Sequence, residues 1–522
     1  MFTPHKGSAA CSYLDQVHAT LPRVLGGLDH DATSPTRGLA DRRRWAWRTT
    51  DFADATWQTS AAGLAVLISE SLLPEWLPEA TATDASISLV EGMRRLIRRD
   101  GSLEEAFPRE RSWCVTGFGP LVISEVLLRL GERIPDATRA AWSRDIARMQ
   151  DFLMRRDETH GRISNHQATV AAALLVESPA GDHAAGSRGR SMLESLLDVE
   201  GGEGWWPEYG GFDPAYQSLC MHYLAWAHRL LPESDSLGDR LAEALGRGFE
   251  TLSWFVHGDL SFGGAYGRRG GDFLVPSAAE MAIEDGWACE AAQSIAARAR
   301  MATAERRVVT LEAVADANAP VFFNSYCFAA AARASQPDQA SDIGAGPSGE
   351  RTVGSVLVRR NGSDGIVVDL ADGTVCCFDT AESVWTGPPA AISSKGGRIA
   401  ASKDQPGACS REGDEVSLRL HLVDVEHPLP TAIQLLVLRL LGATVFASST
   451  FERACKRIIV RFAFGTTGRS EGSVTRNVDL LTGGVEDEEV RIPAGHVAVD
   501  VGSVSLQATA SRGYWRRSGK RS

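Results

Sequence analysis

A chain of 522 residues with 43% apolar residues is long enough for two or three domains with sizeable cores. Its net charge of −12 excludes a whole-molecule field that would gather nucleic acid or anionic lipid, so an anionic ligand requires a local cluster of arginines. Nine cysteines without a CxxC pair read as free thiols of a reducing compartment, and the adjacent Cys376 and Cys377 should point to opposite faces of a strand.

The opening MFTPHKGSAACSYLDQ lacks the apolar core of a signal peptide, and no stretch is expected to reach the roughly 18 apolar residues of a membrane span. The expected location is cytoplasmic as written, or periplasmic or secreted if the true start lies upstream. A short apolar helix is predicted around Tyr13–Leu28. It is followed by DRRRWAWRTTDFADATWQ, where Trp45, Trp47, Phe52 and Trp57 interleave with Arg42, Arg43, Arg44 and Arg48. Such a stretch is either a helix packing its tryptophans into a core or an aromatic and basic lining for an acidic sugar, with Arg48 as a contact.

From Thr59 to about Ala334 the apolar spacing is helical, with helices predicted near 59–73, 84–98, 117–131, 137–155, 164–177, 190–198, 213–231, 238–255, 277–300 and 318–334. Antiparallel helix pairs with elaborate loops at one end predict an α/α barrel. Residues 336–350, rich in small and polar residues, read as a linker between a helical domain (1–335) and a second domain (351–522). There the period changes to two. Val353–Arg360, Ile366–Leu370, Glu415–Val423, Thr431–Leu441, Arg457–Phe464 and Val497–Ala508 read as strands, with Asp372-Gly373 as a hairpin signal. The fold class expected is therefore α+β and multidomain: a helical (α/α) barrel or toroid, then an antiparallel β-sandwich. The basic tail YWRRSGKRS is expected to fray.

Within the helical part, several loops carry unusual chemistry. GSLEEAFPRERSW puts Glu104, Glu105, Arg109, Glu110 and Arg111 before a helix, and GRISNHQ places Arg162, Asn165 and His166 at the head of another. The segment GGEGWWPEYGGFDPAYQ supplies Trp205, Trp206, Glu208 and Tyr209, and Asp213-Pro214 then starts a helix with Tyr216 in its first turn. Aspartate is a good N-cap, and proline suits the first helical position because its missing N–H would be unpaired there anyway. Finally, GGAYGRRGGDF sets Tyr266, Arg268 and Arg269 between glycine pairs. Each residue also has a structural reading: Asn165 as a cap, His166 as a satisfied helix-start histidine, Tyr216 packing on Trp205 or Trp206, Glu208 and Asp213 as loop and cap residues.

FPRERSW, Asn165-His166, WWPEYGGFDPAYQ and GGAYGRRGGDF, in this order on a helical domain followed by a β domain, resemble the heparinase II/III-like proteins and related alginate lyases. The likeness covers most of the chain and implies an (α/α) toroid with an antiparallel β-sheet domain. It implies a polysaccharide lyase in which Asn165 neutralises a uronate carboxylate and Tyr216, about fifty residues on, shuttles the proton with the help of His166. Arg162, Arg268, Arg269, Tyr266, Trp205, Trp206, Arg48 and Arg111 are the matching candidates for substrate contact. The partner implied is an acidic polysaccharide or oligosaccharide. Relatives often take a further histidine, and sometimes a structural zinc, from the β domain. Here only His421, His427 and His496 are available and they form no close ligand cluster, so no metal or other cofactor is expected.

The chemistry accounts for these residue types. A proton next to a carboxylate is weakly acidic, and removing it requires donors placed beforehand to hold the added charge. A base and an acid must then act on the proton and on the leaving oxygen. Two other functions fit the same residues. One is a glycoside hydrolase with Glu110, Glu208 and Asp213 as acid and base; the other is a glycan-binding protein without turnover.

Overall fold

The computed structural model describes residues 12–158, 163–177, 183–314, 318–336, 346–393, 399–402, 408–425, 431–448, 450–451, 455 and 472–499. Its first part is helical: α1 (Ser12–Gly27), α2 (Arg42–Trp45), α3 (Ser60–Ser69), α4 (Glu79–Leu96), α5 (Trp113–Leu130), α6 (Asp136–Met154), α7 (Ser164–Leu175), α8 (His183–Glu200), α9 (Pro214–Leu230), α10 (Ser236–Ser253), α11 (Ser277–Glu284), α12 (Glu290–Ala304) and α13 (Ala319–Ala334). The predicted helix over 277–300 is two helices instead. Gly286, with φ +77°, breaks the turn between them, a conformation that only glycine adopts without strain.

Alternate helices have different compositions, and this decides their layer. Every residue of α3 from Ser60 to Ile68 is buried, as suits a helix enclosed on all sides. In α10 the buried Leu237, Leu241, Leu245, Phe249 and Leu252 recur every three or four residues, so one stripe faces inward and the rest faces water. The enclosed helices follow one another: α3 packs on α5, α5 on α7, α7 on α9, α9 on α11, α11 on α13, and α13 returns to α3. The closure is pinned by Asn324, whose side-chain oxygen accepts the Gly63 N–H at 2.9 Å while its amide donates to the Thr59 carbonyl at 2.9 Å. Gly63 is required there, because a Cβ would stand 2.8 Å from the Phe323 ring. Contacts between Cys114 and His166, Ile163 and Glu208, and Asp213 and Arg269 bring the starts of α5, α7, α9 and α11 to one end.

The segment Trp113–Arg133 is long and apolar enough to cross a membrane by length and composition, contrary to the sequence expectation that no stretch would be. Its apolarity has another source: α5 belongs to the ring, packed by α3, α6 and α7.

The second part is antiparallel. One sheet runs β1 (Ser348–Val353), β2 (Val356–Asn361), β3 (Asp364–Asp369), β4 (Val375–Phe378) and β5 (Ser383–Thr386) in sequence order. Gly362 and Gly373, both at positive φ, sit in the turns after β2 and β3, the second of them the predicted hairpin. The other sheet contains β6 (Ala390–Ser393), β7 (Ile399–Ser402), β8 (Cys409–Glu412), β9 (Glu415–Val425), β10 (Gly472–Asp479), β11 (Val485–Arg491) and β12 (His496–Val499), in the order β11-β10-β9-β7-β6-β12 with β8 beside β9. Side-chain alternation assigns the faces. Leu357, Ile366, Val368 and Val375 share a core with Val416, Leu418, Leu420 and Val478 of the second sheet. The opposite face of the first sheet, through Val356, Val358, Val367, Cys376 and Phe378, belongs to the core of the helical part. Cys376 and Cys377 thus face opposite sides, as expected.

Thr431–Leu441 is not a strand. It forms α14 (Ala432–Ala443), opened by a capping box between Thr431 and Gln434. Its Ala, Leu, Gln and Arg residues are strong helix formers, and the period-two reading rested on a few apolar alternations. The predicted strand Arg457–Phe464, the end of Val497–Ala508, the basic tail, Arg162 and His427 lie outside the described residues.

The β part is docked by backbone-level contacts. Arg360 of β2 is buried and its Nη1 donates to the carbonyls of Ser253 at 2.8 Å and Val256 at 2.7 Å. Burial lowers this guanidinium to about 10. The sheet therefore covers the loops that precede α9 and α11, at the end where the ring helices start.

Candidate functional site

Because α5, α7, α9 and α11 start at one end, the loops that lead into them meet there. Ile163 and Glu208 pair as an isolated antiparallel bridge, and Ser164 donates from Oγ to the Pro207 carbonyl at 2.7 Å. The chain then reverses between Glu208 and Gly211, with Tyr209 at φ +50° and Gly210 at φ +82°. This reversal turns the Glu208 carboxylate inward, where it is 2% exposed.

Glu208 joins two of the expected site residues. Asn165 Nδ2 donates to its Oε2 at 2.7 Å, and Arg269 Nη1 donates to its Oε1 at 2.8 Å. The Arg269 guanidinium lies 4.0 Å from the centroid of the Tyr216 ring and 5.2 Å from that of Tyr209. Tyr216 is held from the other side by the edge of Phe273, at 5.3 Å. Burial opposes the charge of Arg269, but attraction from Tyr216 and Glu208 outweighs it and holds the guanidinium firmly protonated. Asp213 caps α9 as expected, accepting from the Tyr216 N–H at 3.0 Å, and its other oxygen accepts from the Arg269 N–H at 2.8 Å. Burial pushes this carboxyl up to about 6.

His166 begins α7 beside Asn165, and its Nδ1 lies 2.7 Å from Glu158 Oε2. Burial disfavours the imidazolium and also keeps the neighbouring Cys114 a neutral thiol, so it is the Glu158 carboxylate on Nδ1 that favours the charged ring and raises it above the ordinary histidine range. The rim in front of α5 is acidic. Glu105 is exposed as a residue, but its carboxyl is crowded by protein, and desolvation followed by repulsion from Glu110 and Asp54 pushes it up to about 7. Asp54 itself is raised by burial to about 6.

The other expected contacts are distributed elsewhere. Tyr266 is fully buried, its hydroxyl 2.8 Å from His257 Nε2 and its ring stacked on Trp385, which makes it part of the seam between helices and sheet. Trp206 is also buried, donating from Nε1 to the Leu196 carbonyl at 3.0 Å. Trp205 is partly exposed and donates to Glu203 at 2.8 Å. Arg268 rests its aliphatic stem against Gly211. Arg111 is tied between Asp100, at 2.7 Å, and the Phe446 carbonyl, at 2.8 Å, so it braces the loop before α5 against the segment after α14. Arg48 is exposed. Tyr216, Asn165, His166 and Arg269 are therefore gathered around the start of α7 and α9, whereas Tyr266, Trp206 and Arg111 serve packing or bracing.

The carboxylates proposed for hydrolysis are committed to structure: Glu110 Oε2 accepts the Glu105 and Ala106 N–H groups at 3.0 and 2.7 Å, and Asp213 caps its helix. Reading the sequence named Glu105 only as one member of a charged loop and gave no site role to Glu158 or Cys114. The local signals were the doubled acid of Glu104-Glu105 and the acid pair Asp157-Glu158 directly after Arg155-Arg156. Among the described residues, no group of three His, Cys, Asp or Glu side chains could hold a metal ion, so the donor set of a structural zinc is not assembled there.

No protein-family model matches the sequence. No curated protein matches it either. Among solved structures, the chain is similar to a polysaccharide lyase, with 11% identity and a TM-score of 0.39, over 62% of this chain and 97% of that one.

Proposed function

We propose that the protein is a polysaccharide lyase-like enzyme of the heparinase II/III kind, cleaving a uronic acid-containing glycan by β-elimination. The helical ring is then an (α/α) toroid and the two facing sheets are its antiparallel sandwich. One observation carries the reading: a tyrosine ring lies under a charge-paired arginine, on the same carboxylate that orients an asparagine amide. Asn165 spends one amide hydrogen on Glu208 and keeps a second for a substrate carboxylate. The His166 imidazolium and the gathered helix starts add positive potential at the same place.

In this reaction Tyr216, as phenolate, takes the proton from the carbon bearing the carboxylate, and Arg269 stabilises the phenolate charge. Asn165 and His166 hold the charge that builds on the carboxylate. The electron pair forms the ring double bond as the neighbouring carbon–oxygen bond breaks, and the leaving oxygen takes a proton from Tyr216 or from the His166 imidazolium.

With a panel of uronate glycans, the wild type yields an unsaturated, ultraviolet-absorbing product. Tyr216→Phe lowers the rate by roughly 10²–10⁴-fold, the usual share of a general acid–base group. Full product formation by Tyr216→Phe would rule the mechanism out.

A second reading is favoured by Glu105, whose carboxyl near 7 suits an acid working at neutrality. A hydrolase using Glu105 adds water and leaves a saturated end, so product analysis separates the two.

A further inference from the structure

The loop that carries Arg269 has a second side. Its base is closed by the Gly264 N–H donating to the Gly271 carbonyl at 2.8 Å. Arg269 engages Glu208 and Tyr216, while Gly263, Gly264 and Asp272 of the same loop line a separate cavity of about 130 Å³. The remaining wall consists chiefly of Asp259, Ser261, Arg306, Arg307, Ser383 and Trp385, the last two from β5. The volume lies below the roughly 300–1,000 Å³ of drug-sized sites, so the space suits one small ring.

This wall is organised in depth. Asp259 Oδ1 accepts from Ser261 Oγ at 2.6 Å and from Ser383 Oγ at 3.1 Å, tying the helical part to the sheet. Behind them His257 bridges Ser261, at 2.8 Å from Nδ1, and Tyr266, at 2.8 Å from Nε2. Tyr266 in turn stacks on Trp385 with ring centroids 5.5 Å apart, which fixes the indole plane. At Gly264 a Cβ would stand 2.1 Å from the edge of that indole, so bare backbone meets the ring. One donor is left over: Nη1 of Arg307 is buried and has no hydrogen-bond partner among the described residues. That nitrogen is covered by protein, so Arg307 meets a ligand through the rest of its guanidinium along the cavity wall.

The lining specifies that partner's chemistry. Two arginines face two aspartates, so neither a free anion nor a cation is selected. Acids and hydroxyls that accept and donate, a guanidinium donor and an indole together match a molecule with several hydroxyls and one apolar face. We propose that this cavity binds a single pyranose unit of the glycan, as a subsite beside the Tyr216 cluster. Arg269 and Asp272 are three residues apart, a span of at most about 10 Å, so one oligosaccharide reaches both places. The subsite role rests on the glycan reading of the cluster; the pyranose binding itself does not.

Saturation-transfer NMR on the full chain with methyl glucoside, galactoside and mannoside tests it. At least one pyranoside binds the wild type in the millimolar range, a free energy of about −4 kcal/mol. Arg307→Ala weakens that binding at least tenfold. If Arg307→Ala melts early, Ser383→Ala carries the same expectation. Absence of binding to all three sugars, or equal binding by the wild type and the cavity variant, overturns the proposal. Pyranoside binding without any unsaturated product would instead remove the lyase reading and leave this site standing.

Discussion

Glu208 determines the arrangement of the Tyr216 cluster, because a single buried carboxylate satisfies both Asn165 and Arg269. Removing it leaves a mostly buried guanidinium and an amide without their acceptor. Breaking a buried pair by deleting one partner costs roughly 3–5 kcal/mol. Glu208→Ala is therefore expected to lower the thermal midpoint clearly and to release the Arg269 side chain from the Tyr216 ring. Chemical denaturation and the environment of the tyrosines in near-ultraviolet circular dichroism measure the two effects. An unchanged unfolding free energy would contradict the pairing. The sequence marked Asn165, His166, Tyr216 and Arg269 as residues of one chemistry, but left Glu208 as a loop residue or a carboxylate of the hydrolase alternative. A carboxylate's role depends on which donors surround it, and those donors come from segments 43 and 61 residues away.

Individual elements were the most legible level, since capping and period act within a few residues. The start of α9 at Asp213-Pro214 was readable directly, because the cap and its acceptor geometry are local. Its pKa was not. Asp213 is raised from 3.8 to about 6 by burial, so the folded state holds the proton more tightly than the unfolded chain. Its contribution is then fully present below pH 3.8 and is lost as pH rises through about 6. Asp213→Asn keeps a capping oxygen without the charge, so its stability should fall less than that of the wild type between pH 4 and 7. Parallel melting curves across that range are the check; identical slopes would show that the carboxyl is not perturbed. α14 shows the limit of local reading, because a short run of apolar residues satisfies both periods until its capping box is weighed.

For the molecule as a whole, the decisive contact is the docking of the first sheet on the helical part. Gly258 makes it possible: a Cβ there would stand 2.3 Å from the Ser363 carbonyl and 2.5 Å from that of Asp379. These are backbone atoms, which cannot swing aside. Gly258→Val should thus cost at least the roughly 1–3 kcal/mol of ordinary overpacking and loosen the sheet from the helices. In calorimetry the expected result is a split or broadened transition; a single sharp transition at the wild-type temperature would refute the dependence. Both the Tyr216 cluster and the cavity beside Trp385 lie along this docked end, so the same variant should weaken ligand binding at each.

The sequence by itself determined the helical and antiparallel parts, most helix positions and the cap of α9. These follow from period, composition and turn chemistry, which are short-range. It also identified the loops with unusual chemistry, because clustered Trp, Gly, Arg and Asn are visible without a fold. Only the tertiary structure decided which loop residues meet. Ring helices that start at one end bring four loop ends together and bury Glu208 between Asn165 and Arg269. The same packing turns Tyr266 and Trp206 into the core and gives Arg307 a buried donor at the sheet. Burial and long-range pairing set those charges, and neither is written in any single stretch of chain.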